Sequence, residues 1–294
     1  MTDFAVRLVR RLATTPGFRN LTRFEALLRI SYSLRSSLVR ERRRFVANEL
    51  RRRPATGVYR LRESGVALAL RHHTGDVMVL DEIFSQREYE PPPRLAQALA
   101  RLPSAPRVLD LGANIGLFGV WTLGRFPAAT IVAVEADPEN AAVHRQTIEA
   151  NGGGDRWQLI EAFASTTPGT VRFAGGAQAT SRAARLEETA AEVPTVDVLP
   201  YLADADFAKI DIEGAEWALL ADPRFAESCP AIVVLEYHDA GLSDRDPAGK
   251  AAQALRTAGH EVVHAGRKPR FGAGLVWSFA PVATDEGAVG RPRA

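Results

Sequence analysis

Two stretches of this chain carry residue types at spacings that could do chemistry. The first is Arg107 to Leu123, RVLDLGANIGLFGVWTL. A short apolar run ends at Asp110 and gives way to Gly112-Ala113-Asn114-Ile115-Gly116. Glycines there allow a sharp turn and close approach to a ligand, and Asn114 tolerates a left-handed backbone. Leu117, Val120 and Trp121 then recur at helical spacing, so the order is strand, loop, helix. A ligand would bind where this loop leaves the carboxyl end of its strand, with the loop amides facing the crevice. The second stretch is Phe207 to Gly214, FAKIDIEG. Strand alternation places Lys209, Asp211 and Glu213 on one face, and Glu216 follows one helical turn later. Three charged side chains ending an apolar strand are costly to bury without partners. A structural Lys–Asp pair is the plainer reading; a functional site is favoured because this face opens on the same crevice as Gly112.

The glycine loop does not suit a dinucleotide. That fingerprint needs glycines where this chain has Asn114 and Leu117, so a pyrophosphate loses its close backbone approach. A smaller nucleoside without phosphate fits better, and S-adenosylmethionine is the obvious candidate. Glu135 ends the next strand, 23 residues after Gly112, where an acid can accept from both ribose hydroxyls. Asp137 is the better candidate for a helix-terminal acid. Glu161-Ala162-Phe163, at the end of a third strand read over Trp157 to Ala164, would lie beside an adenine ring. A fourth apolar strand, Ala231 to Leu235, ends in Glu236-Tyr237-His238-Asp239. Glu236 and His238 share a face, and a histidine beside two acids at a strand end is a candidate for substrate binding or proton transfer.

The elements that position these groups alternate strand and helix from residue 107 onward, which argues for a parallel sheet covered on both faces. Upstream, apolar residues recur at helical spacing over 3–15 and about 21–52, and residues 57–84 read as two or three short strands split by turns. Pro91-Pro92-Pro93 marks a linker before a helix at 94–102. His72-His73 is a poor metal pair, since adjacent strand residues point to opposite faces. Strands are expected at Gly169 to Phe173, Thr195 to Leu199, His260 to His264 and Gly274 to Phe279, with a helix from Pro247 to Ala258. The small, polar stretch Gly175 to Ala191 has the length of a lid or a disordered loop.

Composition narrows the class. With 46% hydrophobic and 24% charged residues over 294 positions, the chain is of globular type with ample core material. Its net +2 conceals an asymmetry: residues 1–62 hold 16 Arg, no Lys and only Asp3, Glu25, Glu41 and Glu49, a net +12, against −10 for the remainder. The basic segment is expected to be a helical cap. Contact with an anionic membrane surface is the second option and nucleic acid the third, since no aromatics interleave with the arginines. Cys229 is the single cysteine, which excludes an intrachain disulfide scaffold. No signal-peptide core or membrane-length apolar run is present, so a cytoplasmic protein is expected.

Taken together, VLDLGANIG, VAVEADPEN, the EAFAS–Gly169 segment and above all AKIDIEGAEWALL resemble the FkbM-type S-adenosylmethionine-dependent methyltransferases, over about residues 105–240. The upstream stretch VMVLDEIFSQREYEPP is also similar to the segment before the domain in many members. The resemblance implies an α/β fold, a Rossmann-like class I methyltransferase sheet of seven strands with the last antiparallel, behind an N-terminal helical and β extension. It implies methyl transfer to an oxygen on a sugar, glycolipid or secondary metabolite, with a small-molecule or glycan acceptor. Asp110, Gly112, Asn114 and Gly116, with Ala113 among them, would hold the methionine part. Glu135 would bind the ribose, Ala136, Glu161 and Ala162 would lie near the adenine, and Asp211 would face the reacting centre. Phe163 stands where a small residue is common.

Such transfer needs donor and acceptor held in line, and an alcohol benefits from a general base. His238 is the first choice for that base and Asp211 the second; alternatively Asp211 and Glu236 bind Mg2+, which would acidify the hydroxyl. The organisation expected is a basic helical segment (1–56), a small β extension and linker (57–93), the catalytic domain (94–284) and a disordered tail (285–294). Two other functions stay open: a non-catalytic nucleoside-binding adaptor, and an RNA methyltransferase steered by the basic segment, which lacks the Asn/Asp-Pro-Pro-Tyr motif of base-amine enzymes.

Overall fold

The structure is a computed structural model, and it describes residues 35–51, 54–174, 182–183, 191–239, 246–268 and 272–281. The helix expected at 3–15, the first part of the one expected from 21, most of the 175–191 loop and the tail lie outside them. The described part of the basic segment forms α1 (Arg42–Leu50), whose inner face carries Phe45, Asn48 and Glu49. These pack on an antiparallel hairpin of β1 (Thr56–Arg60) and β2 (Ala67–Arg71).

Residues 76–85 are helical, not a third strand. They form α2 (Asp76–Leu80), which continues as one π-helical turn, Asp81–Ser85. Asp76 initiates this turn of chain by accepting from the Arg71 amide (2.8 Å) and side chain (2.9 and 3.0 Å). Val77, Leu80 and Ile83 are buried at helical spacing while Met78 is exposed. The continuous apolar run Val77 to Leu80 concealed that period. Then α3 (Pro93–Leu99) leads into the main sheet.

The parallel core of that sheet begins with β3 (Arg107–Leu111), α4 (Leu117–Arg125), β4 (Thr130–Glu135), α5 (Pro138–Ala150) and β5 (Trp157–Glu161). Asp137 caps α5, accepting from the amides of Glu139 (2.8 Å) and Asn140 (3.4 Å), with Pro138 at the first helical position, where its missing N–H costs nothing. The third strand breaks at Ala162. Beyond it β6 (Phe163–Ser165), β7 (Gly169–Ala174), β8 (Arg182–Ala183) and β9 (Ala191–Asp197) form a small second sheet in the order β6-β9-β7-β8.

The chain returns through α6 (Leu199–Asp204) to β10 (Phe207–Ile210), α7 (Glu216–Ala221), α8 (Phe225–Ser228) and β11 (Ile232–His238). It closes with α9 (Pro247–Thr257), β12 (Glu261–Lys268) and β13 (Ala273–Phe279). The seven strands lie in the order β12-β13-β11-β10-β3-β4-β5. All run parallel except β13, which is antiparallel to both neighbours. This is the sheet the resemblance implied.

Each face of the sheet buries its own layer, as parallel strands require. Val108, Ile131, Phe207 and Trp277 belong to one layer, Leu109, Val134, Ala208 and Val276 to the other. The extension shares the first layer: Phe45, Tyr59, Leu68, Leu70 and Tyr89 are continuous with it. Side chains of α5 and its end complete the hairpin edge, with Thr147 Oγ1 accepting from the Ala69 amide (3.0 Å) and Asn151 bonding both backbone groups of Ala67 (2.9 and 2.8 Å).

Candidate active site

The carboxyl ends of β3, β4, β10 and β11 open on a cavity of about 630 Å3, within the range of small-molecule sites. One end is lined by Gly112, Ala113, Asn114, Glu135, Ala136 and Ala162. The other is lined by Tyr89, Lys209, Asp211, Glu213, Glu236 and His238, and Met78, Val79 and Ile83 of the extension form a further wall.

The glycine loop bends as expected, with positive φ at Gly112 (71°), Asn114 (49°) and Gly116 (86°). Its amides are differently employed. Those of Gly112 and Ala113 both donate to the Val134 carbonyl (3.0 Å), and that of Asn114 donates to Glu135 Oε2 (2.7 Å). None of the three faces a ligand. The glycines are also required by the protein itself. A Cβ on Gly112 would stand 1.7 Å from the Asp211 carbonyl oxygen, and one on Gly116 would stand 2.5 Å from the His144 ring. Gly116 does not line the cavity.

Asp110 is sealed beneath the loop and does not line the cavity. Its carboxylate is fully buried, lies 3.4 Å from Lys209 Nζ, and is pushed up in pKa by that burial while Lys209 opposes the rise. Lys209 also donates to the Gly112 carbonyl (2.7 Å) and pairs with Asp211 Oδ2 (3.4 Å). Burial opposes its charge, but Asp211, Asp110 and Glu236 together raise its pKa. Asp110 therefore acts through Lys209 on the loop and on Asp211. The expectation that it touches the methionine part meets a side chain that is buried and not among the residues lining the cavity.

Glu135 lines the cavity, with Oε1 accepting from the Asp137 amide (2.8 Å) and Oε2 from Asn114. Burial raises its pKa, while the two amides hold it down. Each oxygen keeps lone-pair capacity for a further donor. Asn114 Oδ1 is buried at the cavity wall with no hydrogen-bond partner. Glu161 is corrected too: its carboxylate pairs with Arg145 on the surface, outside the cavity lining. The break at Ala162 hands that wall to Ala162, Phe163 and Ala164, and Phe163 packs edge-on against Phe173, centroids 6.2 Å apart.

At the far end β10 stops at Ile210, and the chain turns through Glu213 (φ 51°) and Gly214 (φ 103°). A left-handed glutamate is uncommon. His238 Nε2 lies 3.3 Å from Glu213 Oε2 and 3.9 Å from Asp211 Oδ1. Its Nδ1 is 3.0 Å from Glu216 Oε1, which also accepts from the His238 amide (2.6 Å). Burial disfavours the imidazolium, but the Glu216 hydrogen bond and the charges of Asp211, Glu213 and Glu216 outweigh it and raise the pKa to about 9. Glu213 is pushed up to about 8, chiefly by burial and then by Asp211. At neutral pH this His238 holds a proton, so its reading as a ready base from the ordinary histidine value is corrected.

Asp211, Glu213 and His238 each offer a ligand atom within 4.8 Å of the others. Glu236 was expected to share a metal with Asp211. Glu236 lines the cavity but is not among these three. Lys209 and Glu213 were placed by the motif on the functional face without a role, and Glu216 was noted only as following one turn later. Tyr89 had no signal of its own; it is buried edge-on against Phe118 (5.1 Å).

Known proteins place this chain in context. A family model described as the methyltransferase FkbM domain matches residues 110–262. The methyltransferase sdnD of Sordaria araneosa is 30% identical over 93 residues, 32% of this chain and 33% of that protein, so the match spans about a third of that relative's length. Among solved structures, an O-methyltransferase family protein from Burkholderia thailandensis is 16% identical, with 71% of this chain and 59% of that chain covered and a TM-score of 0.40. A precorrin-6y C5,15-methyltransferase from Geobacter metallireducens is 18% identical, with 63% and 85% covered and a TM-score of 0.37. Among the described residues no helix is long and apolar enough to cross a membrane.

Proposed function

The chain belongs to the FkbM methyltransferase family, and on that premise we propose that it transfers a methyl group from S-adenosylmethionine to an oxygen of a sugar, glycolipid or secondary metabolite. The observation that carries this reading is the division of the cavity. Its loop end offers Glu135 to ribose hydroxyls. Its other end gathers Asp211, Glu213, Glu236 and His238. The amides of Gly112, Ala113, Asn114 and Gly116 are bonded within the protein and so are not turned to a phosphate, which fits a phosphate-free nucleoside.

The donor supplies an activated sulfonium methyl. This chain's own residues bind it, align it and manage the acceptor proton. Lys209 ties the glycine loop to Asp211, so donor and acceptor ends move as one unit, and fixed alignment of reactants can lower a barrier by several kcal/mol, up to roughly 7–11. The hydroxyl proton that the acceptor oxygen must lose on methylation would pass to a carboxylate of the far cluster. Asp211 is the cavity-lining carboxylate that lies within 4 Å of both Lys209 Nζ (3.4 Å) and His238 Nε2 (3.9 Å), and a positioned base is worth roughly 10²–10⁴-fold.

Calorimetry tests the donor assignment. Glu135→Ala should weaken S-adenosylmethionine binding by about two to four orders of magnitude, because two bonds to a charged acceptor, each worth about 1.5–3 kcal/mol, are lost. Glu161→Ala, which removes a surface pair outside the cavity, should leave affinity unchanged. Equal affinities for wild type and Glu135→Ala would overturn the ribose assignment.

A further inference from the structure

We propose that Asp211, Glu213 and His238 form a binding site for a divalent transition-metal ion at the acceptor end of the cavity. Three observations carry it. Asp211, Glu213 and His238 each offer a ligand atom within 4.8 Å of the others, from the turn after β10 and the end of β11, and His238 Nε2 lies 3.9 Å from Asp211 Oδ1 and 3.3 Å from Glu213 Oε2. In two of the three the other side-chain atom is already engaged: Asp211 gives its Oδ2 to Lys209, and His238 gives its Nδ1 to Glu216.

The second observation is the support behind the histidine. Glu216 is fully buried, and its carboxylate accepts from the amides of Gly214 (2.7 Å) and His238 (2.6 Å) as well as facing Nδ1. This fixes the ring plane and leaves Nε2 as the outward atom. A carboxylate on the far nitrogen is the arrangement that orients metal-bound histidines and raises their basicity. Third, all three ligand groups line the cavity, so an ion there keeps open positions toward an acceptor oxygen.

The donor set selects the ion. One imidazole nitrogen with two carboxylates suits Mn2+, Fe2+, Co2+ or Zn2+. Mg2+ demands near-ideal octahedral oxygen coordination and holds its waters, so a site with a nitrogen corner disfavours it. The metal's part in methyl transfer, acidifying and orienting the acceptor hydroxyl, rests on the function proposed above. The binding itself does not.

Mn2+ titration followed by electron paramagnetic resonance tests the site, on the full chain after chelation and desalting. One ion per chain should bind, Co2+ and Zn2+ should displace it, and Mg2+ at the same concentration should not. Glu213→Gln and His238→Gln should each weaken Mn2+ at least tenfold. S-adenosylhomocysteine binding by calorimetry, through the opposite end of the cavity, reports that each variant is folded. No stoichiometric Mn2+ binding, or binding indifferent to both substitutions in folded protein, overturns the site. Mn2+ binding without S-adenosylhomocysteine binding would instead overturn the methyltransferase reading and leave the site standing.

Discussion

Two histidines, one in the extension and one at the end of β11, each present Nδ1 to a glutamate: His72 to Glu49 and His238 to Glu216. They differ in what the second nitrogen meets. His72 Nε2 lies 2.6 Å from the Tyr59 hydroxyl, which in turn accepts from Asn48 Nδ2 at 2.8 Å. The whole chain of bonds is buried, with His72 and Tyr59 at 0% exposure. It has no opening and fastens α1 to the hairpin. His238 instead aims Nε2 at two carboxylates across a cavity. A histidine's role is thus decided by its last unshared atom, not by the carboxylate behind it.

Breaking each histidine should separate the roles. His72→Ala strands the buried Glu49 carboxylate and the Tyr59 hydroxyl, and removing one member of a buried pair costs about 3–5 kcal/mol. A urea titration should show that loss, while turnover per folded molecule and donor affinity stay near wild type. A stable His72→Ala protein would mean the network does not hold the extension.

His238→Ala should do the reverse, cutting turnover by about 10²-fold, or about 2.7 kcal/mol, with donor affinity nearly unchanged. Glu216 keeps the amides of Gly214 and residue 238 as donors, so stability should fall by no more than about 1–2 kcal/mol. Wild-type turnover on the true acceptor would make this histidine structural, like His72.

How much of this was legible follows from the range of the causes. The seven-stranded sheet with its antiparallel last strand came from the resemblance. The alternation of strand and helix from residue 107, the left-handed Asn114, the Asp137 cap and the placing of Glu135, Asp211 and His238 at strand ends follow from local patterns. The reason for Gly112 does not: its neighbour is a carbonyl 99 positions along the chain. Asp110 has the type and place of a ligand, yet the Lys209 that seals it arrives from another strand. Glu161 ends its strand with the type and place of an adenine contact, yet its carboxylate turns to Arg145 of the neighbouring helix. The helix at 76–85 was hidden because an unbroken apolar run shows no period. His238 was given the ordinary pKa of its type, whereas Glu216, Asp211 and Glu213 converge on it only in the fold.

The pH dependence of stability sharpens the comparison at the cavity. In metal-free protein the folded pKa of His238, about 9, lies above its ordinary 6.5. The folded state therefore holds the extra proton, and that stabilisation is complete below about pH 6.5 and disappears as pH rises through 9. Glu213, raised from 4.5 to about 8, acts in the same sense over its own window. The groups facing the pair are Asp211, Glu216, Glu236 and Lys209. Denaturation midpoints should fall between pH 6.5 and 9.5, by on the order of 2 kcal/mol, and His238→Ala should flatten that fall. A flat wild-type profile, or one that rises with pH, would refute the charged cluster.

The smallest change asks whether the closed network needs its hydroxyl. Tyr59→Phe keeps the ring, and with it the contacts to Phe45 (centroids 5.2 Å), to His72 (5.6 Å) and to the Arg44 guanidinium lying 5.0 Å above it. Only the oxygen is lost. Asn48 Nδ2 and His72 Nε2 then face each other across the gap with no protein partner supplied by residue 59. Tyr59 is fully buried, so bulk water cannot take the place of the oxygen, and unmaking buried bonds of this kind costs about 1–3 kcal/mol. Because Glu49 still holds Nδ1, the buried carboxylate stays paired, and the loss should be clearly smaller than in His72→Ala. A urea midpoint measured on both variants decides it. If Tyr59→Phe is as damaging as His72→Ala, the hydroxyl carries the network. If it costs nothing, ring packing alone seats α1, and the contrast with His238 rests on burial and not on saturation of the second nitrogen.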